Sequence, residues 1–149
     1  MAVRFEKDAQ LQDVVTVSTG ISPDGNEASL LFTNLEVRTQ GRGGPSVATR
    51  TVSLSLPIAE NDTDRTVSQH IRGHVSSTYG ARLVLLAQLS GKTFLVDLPP
   101  DKEDVFFQQF ESMVPVGKSY QATFFLLAEC DSDLAEGLLV VDSLDVFFP

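Results

Sequence analysis

From Val52 to Ile58 the chain reads Val-Ser-Leu-Ser-Leu-Pro-Ile, apolar and polar in alternation. Successive side chains of a strand point to opposite faces, so this rhythm buries one face and wets the other. Segments of the same kind recur almost to the last residue. The expected architecture is all-β, an antiparallel β-sandwich of about eight strands with one short helix, the alternative being a β-barrel.

The turns between these segments carry their own chemistry. Ser22-Pro23-Asp24-Gly25-Asn26 supplies a proline that presets φ and an Asp-Gly pair that tolerates positive φ. Ala28 to Thr39 alternates through Leu30 and Phe32, then changes parity at Leu35 and Val37, which predicts a β-bulge near Thr33-Asn34. Val67, Ile71 and Val75 hold one parity with Gln69 and Gly73 between them. They predict a long half-polar strand over 65–77, with Gly73 marking a bulge or the close approach of another side chain. Ala81 to Leu89 and Thr93 to Leu98, joined by Ser90-Gly91-Lys92, read as a hairpin. Pro115-Val116-Gly117-Lys118 is a further turn before the closing strands, 119–129 and 138–148. Between Asp101 and Met113 the pattern changes. Asp101 is placed to cap a helix, and Val105, Phe106, Gln109 and Phe110 recur at helical spacing, so the one helix is expected here.

A chain of 149 residues suits one domain, here 1–149. At that length roughly 70% of the unfolded surface can be buried, so the core needs no metal or disulfide to hold it. Trp is absent and Phe numbers ten, which leaves Phe to supply the large core side chains. Twenty acidic residues against eleven basic ones give a formal charge of −9. Such a surface repels phosphate backbones and argues against nucleic acid as a partner. No run of eighteen apolar residues is present to span a membrane. The N-terminus lacks the apolar stretch of a signal peptide. A cytoplasmic location is expected, although a mature secreted chain whose leader has been removed would read the same way.

His70 and His74 are four apart, but on a strand that places them about 13 Å apart on one face, too far for one ion. They read as solvated surface histidines. There is no Gly-x-Ser-x-Gly elbow. Gly41-Arg42-Gly43-Gly44-Pro45 lacks the Lys-Ser/Thr ending of a phosphate loop and reads as a hairpin loop flanked by Arg38 and Arg50. Cys130, the single cysteine, follows an apolar run and has no cationic neighbour, as expected of a buried, inert thiol. Loop carboxylates are the remaining candidates. Asp62 with Asp64, and Asp131 with Asp133, have the alternating spacing of calcium-binding loops, though Ala135 and the late Gly137 exclude an EF-hand. Calcium is the one metal these residues suggest, and no other cofactor is expected. Without Trp, and with two Tyr, a carbohydrate platform has little to build on.

Two stretches resemble a family of secreted all-β proteins known mainly as a domain of unknown function. One runs from Val15-Thr16-Val17-Ser18 through Ser22-Pro23-Asp24-Gly25 to Leu30-Leu31-Phe32. The other joins Val52-Ser53-Leu54-Ser55-Leu56-Pro57 to Ile71-Arg72-Gly73-His74-Val75, and Asp142-Ser143-Leu144-Asp145 extends the likeness. The resemblance implies a β-sandwich and no catalytic residue.

The resulting expectation is a non-enzymatic binding or structural module that contacts a protein partner, or itself as a homo-oligomer, through strand edges or end loops. Phe147-Phe148 and Phe124-Phe125, adjacent on strands, point to opposite faces, so one ring of each pair can face outward, into a subunit contact, and Phe106-Phe107 poses the same question on the helix. Two alternatives stand beside it: a small-ligand binder or enzyme with a pocket between the sheets, and a calcium-dependent recognition module.

Overall fold

The alternating segments pair into antiparallel sheets in a computed structural model that describes residues 4–5, 10–11, 16–40, 46–59, 62–78, 80–98, 103–131 and 135–149. Thirteen strands lie among them: β1 (Arg4–Phe5), β2 (Gln10–Leu11), β3 (Thr16–Ile21), β4 (Glu27–Thr33), β5 (Glu36–Gln40), β6 (Ser46–Leu56), β7 (Ile58–Ala59), β8 (Arg65–Ser77), β9 (Ala81–Leu89), β10 (Lys92–Leu98), β11 (Glu103–Val114), β12 (Tyr120–Cys130) and β13 (Glu136–Phe147). Five strands form one sheet in the order β10-β9-β12-β6-β2, and six form the other in the order β11-β8-β13-β4-β3, with β5 also on β13 and β1 pairing β7.

The two sheets stack as a sandwich, and their inner faces supply one core. β12 shows the rule. Tyr120, Ala122, Phe124, Leu126, Ala128 and Cys130 are buried, and the residues between them face outward. Opposite lie Leu30, Val37, Ile71, Val75, Leu139, Val141 and Leu144 of the other sheet. Phe32 and Phe124 meet edge to face across the interior at 6.0 Å, and Phe94 stacks on Phe110 at 4.1 Å along the side where β10 and β11 end their sheets. The sheets do not close into a barrel among the described residues.

Several expected turns are present. The hairpin between β9 and β10 turns on Ser90 and Gly91, both at positive φ (46° and 87°), the geometry that matches the twist of a two-residue hairpin. Asp24 accepts hydrogen bonds from the Asn26 N–H (3.0 Å) and the Ser22 hydroxyl (2.7 Å), and these bonds hold its carboxyl below the usual range. The parity change near Asn34 is real. Asn34 sits at φ 67° between β4 and β5, and both strands then follow β13 in succession. Val15 and the glycine-rich segment 41–45 lie outside the described residues.

The helix expected over Asp101–Met113 is replaced by β11, which pairs β8 residue for residue from Glu103 opposite Ser76 to Val114 opposite Arg65. Phe106 and Phe110 are four apart, a spacing shared by one face of a helix and one face of a strand. The strand wins because Ser112 and Val114 extend the same inward parity and are buried. The strand count also exceeds eight. β11, the short β1, β2 and β7, and the break between β4 and β5 account for the difference.

Two buried polar groups test the core. Gln69 is fully buried, yet its amide donates to the Val67 carbonyl at 2.8 Å and to the Ser112 hydroxyl at 3.1 Å across β8 and β11. Such pairing offsets the desolvation that an unpaired amide would suffer. The Tyr120 hydroxyl is also buried and has no partner among the described residues, and burial pushes its ionisation well above the usual range. Tyr120→Phe removes this hydroxyl at nearly constant shape. It is expected to leave stability unchanged or to raise it by about 1 kcal/mol. A thermal melt that drops by several degrees would reveal a bond to that oxygen.

Candidate functional site

The outward face of the six-stranded sheet is built by register. Arg72 on β8 stands opposite Phe107 on β11 and Ser143 on β13, and Ser143 in turn faces Leu31 on β4. One step along, His74 lies between Val105 and Val140. In the other direction His70 lies between Gln109 and Asp145. Neighbouring strands are about 4.8 Å apart, so these rows form a continuous surface.

Asp142 distorts the surface in a specific way. Gly73 pairs with Val141 and Arg72 with Ser143, so Asp142 is the extra residue of a β-bulge. The bulge re-aims its carboxylate, whose Oδ2 lies 3.1 Å from His74 Nδ1. Both side chains are about half exposed, so the hydrogen bond orients the imidazole while water screens the carboxylate. The Arg72 guanidinium carbon lies 5.3 Å from the centre of the Phe107 ring, a cation–π geometry. Leu31, Val105 and Phe107 are 60%, 77% and 48% exposed. They border an open hollow of about 500 Å³ shared with Arg72, Asp142 and Ser143. A second hollow of about 530 Å³ continues past Val105 to His74 and Asp104, and a third of about 350 Å³ lies toward Ser18, Ser29 and Asp145. All three open on the outer face.

His70 differs from the solvated histidine expected of it. Its ring is wedged edge-on between Phe107 and Phe147, each 5.0 Å away, and Nε2 is buried without a partner among the described residues. Two of the three phenylalanine pairs explain themselves here: Phe107 and Phe147 turn outward onto His70. Their neighbours turn in, Phe106 onto Gly73 and Phe148 onto Phe5 in a stack at 4.9 Å. In the third pair Phe124 is fully buried and Phe125 half-buried on the opposite face.

The loop carboxylates are dispersed. Asp62 binds the Arg65 guanidinium at 3.1 Å, and Asp64 accepts the Val116 N–H at 2.9 Å, both beyond the Leu56 end of β6. Asp131 follows Cys130, which pairs with Ser46 at the other end of that strand, roughly 33 Å away at about 3.3 Å per residue. Asp131 therefore shares no site with Asp62 and Asp64, and Asp133 lies outside the described residues. Among the described residues no three of His, Cys, Asp and Glu gather as metal ligands. Cys130 is buried with Ala81 and Ala135, and its burial raises the thiol's pKa. Arg50 donates to the Asn34 carbonyl at 3.0 Å, and Arg42 lies outside the described residues.

Sequence reasoning raised Phe107 only as one of a pair on a helix and passed over Val105 and Leu31 as contributors to a surface. Continuing the inward parity of Phe106 and Phe110 through Ser112 and Val114 would have turned Val105 and Phe107 outward together.

No family model matches the chain, and no curated protein matches it by sequence. Among solved structures it is similar to the enzymatically active domain of tailspike protein 4 from bacteriophage CBA120 (13% identity, TM-score 0.41), with 97% of this chain and 19% of that one covered. A structure of infectious bursal disease virus, Gx strain, is similar at 10% identity and TM-score 0.38 over 93% of this chain and 32% of that one. The CBM22-1 xylan-binding domain from Paenibacillus barcinonensis Xyn10C is similar at 17% identity and TM-score 0.28, with 97% and 88% covered. The chain spans less than a third of the length of the first two. None of these likenesses assigns a residue or a ligand here.

Proposed function

We propose that the chain is a non-catalytic binding module that engages a protein partner through the outer face of its six-stranded sheet. One observation carries the reading: Leu31, Val105 and Phe107 are exposed around one open hollow that Arg72 and Asp142 also line, with Arg72 lying between Phe107 and Leu31 in the row. Main-chain groups inside a sheet are used in the ladder, so this face can recognise a partner through side chains alone. An apolar centre with a polar rim is the anatomy of protein interfaces, and aromatic residues and Arg dominate their energetics. The stacking of Arg72 on Phe107 holds both side chains in place, which lowers the entropy lost on binding. Asp142 and Asp145 on this face and Asp104 at its border, with a net charge of −9, favour a partner that is basic at its rim.

The test is retention of proteins from an extract of the source cells on immobilised chain, at low and at high salt. Phe107→Ser is expected to lose a retained basic partner by about 30-fold in affinity, the weight of a central aromatic residue. Leu95→Ser, at a position 64% exposed on the other sheet, serves as the control. Equal losses with the two variants would overturn the assignment of the face.

A further inference from the structure

The edge of the same sheet carries a second feature, independent of what the face binds. β11 is twelve residues long and pairs on one side with β8 without a register break. Its other side has no partner strand among the described residues. Alternate residues of an antiparallel strand aim N–H and C=O to alternate sides, so about half of β11 offers both groups to whatever lies beyond. Edge strands are ordinarily blunted by shortness, by Pro, by Lys or by a bulge. β11 is long, unbulged and free of Pro, Lys and Arg; its charged residues, Glu103, Asp104 and Glu111, lie toward its two ends and leave 105–110 uncharged. The other edges differ. β3 has six residues, and β10 has seven, with Lys92 at its start and Asp97 ion-paired to Arg82 at 3.6 Å. β11 also exposes Val105, Phe107 and Met113, the last at 53%.

We infer that β11 pairs antiparallel with β11 of a second copy of this chain, about a two-fold axis normal to the sheet at Gln108, so that two six-stranded sheets become one. Any other partner would have to bring an unpaired strand; a second copy already has one of matching length. An axis normal to the sheet keeps outer face beside outer face, as antiparallel pairing requires. With the axis at Gln108, Phe107 of one copy faces Gln109 of the other, Val105 faces Glu111, and Asp104 faces Ser112, so none of these carboxylates meets another directly. On the inner side Phe106 faces Phe110 of the second copy, which extends the Phe94–Phe110 stack across the junction. The pairing leaves the outer face open and sets the two Phe107 patches beside the axis, so that a dimer presents the face twice.

The opposed net charges of −9 set the salt dependence: added salt screens their repulsion and strengthens the dimer. Sedimentation of the full chain at about 0.05 M and about 0.5 M NaCl is expected to give twice 16.2 kDa, with several-fold tighter association at the higher salt. Gln108→Cys is expected to form an inter-chain disulfide under mild oxidation, because residues facing each other across an antiparallel pair lie about 4.5–5.5 Å apart at Cα. Leu95→Cys, at a more exposed position on the other sheet, is expected to form none. A circular dichroism spectrum matching the parent confirms that each variant folds. A monomer at both salts, or a dimer that cross-links through Leu95→Cys and not Gln108→Cys, overturns the inference. A monomer that still retains a basic partner would leave the proposed function standing, and a dimer that retains none would leave this pairing standing.

Discussion

Phe124→Ala is expected to remove about 3–5 kcal/mol of folding free energy, on the order of 10 °C in Tm for a chain of this length. Phe124 is fully buried on β12, the middle strand of the five-stranded sheet. Its flanking register partners, Val52 on β6 and Ala87 on β9, are fully buried too. Phe32 reaches across from the other sheet to meet it edge to face. Strands fixed on both sides cannot move in to fill the space a ring leaves, so the cavity term adds to the lost transfer energy. Phe125→Ala is the informative comparison. The same side chain one residue on faces outward and is half-buried, and its loss is expected to cost less than half as much. Urea unfolding of both variants, followed by far-ultraviolet circular dichroism, measures the difference. Equal costs would mean that β12 does not present the parity assigned to it.

The alternation that made the sheets legible is strongest where one face is buried and the other wet. Val52–Leu56 and Ala122–Cys130 are strands of that kind, and the sequence pattern and the burial pattern agree there. Reading failed where the outer face is apolar too. β11 turns Phe106 and Phe110 inward but Val105, Phe107 and Met113 outward. Alternation of polarity is then lost, and the residual spacing of four fits a helix as well as a strand. The ambiguity and the proposed binding surface thus share one cause: both rows of β11 mix apolar and polar residues, with Val105, Phe107 and Met113 outside and Gln108 and Ser112 inside. β1, β2 and β7 were missed because two residues carry no period at all.

The candidate site was illegible for a different reason. Leu31, Arg72, Phe107 and Asp142 come from four strands, and only the register brings them together. Asp142 joins His74 through a bulge that sequence signalled only indirectly, at the partner position Gly73 and in the parity change at Asn34. The aspartates that did stand out, Asp62, Asp64 and Asp131, stood out by spacing along the chain, and spacing within a loop says nothing about which end of a sandwich the loop occupies.

Gly73→Ala should approach the cost of emptying the core, with the opposite sign of volume change: about 3 kcal/mol. A Cβ at Gly73 would overlap the Val140 carbonyl oxygen and come within 2.6 Å of the Phe106 ring. Neither neighbour can retreat cheaply. Val140 precedes the bulge that sets the β8–β13 register, and Phe106 sits directly opposite Gly73, its ring laid over the space a side chain would fill. Gly20→Ala on β3 provides the contrast. An added Cβ meets nothing within 4 Å there, and a strand residue with less freedom when unfolded is expected to be neutral or to gain about 0.5 kcal/mol. The double variant Gly73→Ala with Phe106→Ala separates the two clashes, since it relieves the ring but not the carbonyl. It should recover part of the loss relative to the sum of the single variants. Full additivity would show that the carbonyl alone forbids a side chain, and a Gly73→Ala protein as stable as the parent would show that β8 does not lie against β13 as described. Arg72 and His74 flank this glycine and point to the outer face. The same close seat that excludes a methyl group inside therefore fixes how these two side chains stand outside, beside Phe107 and Asp142.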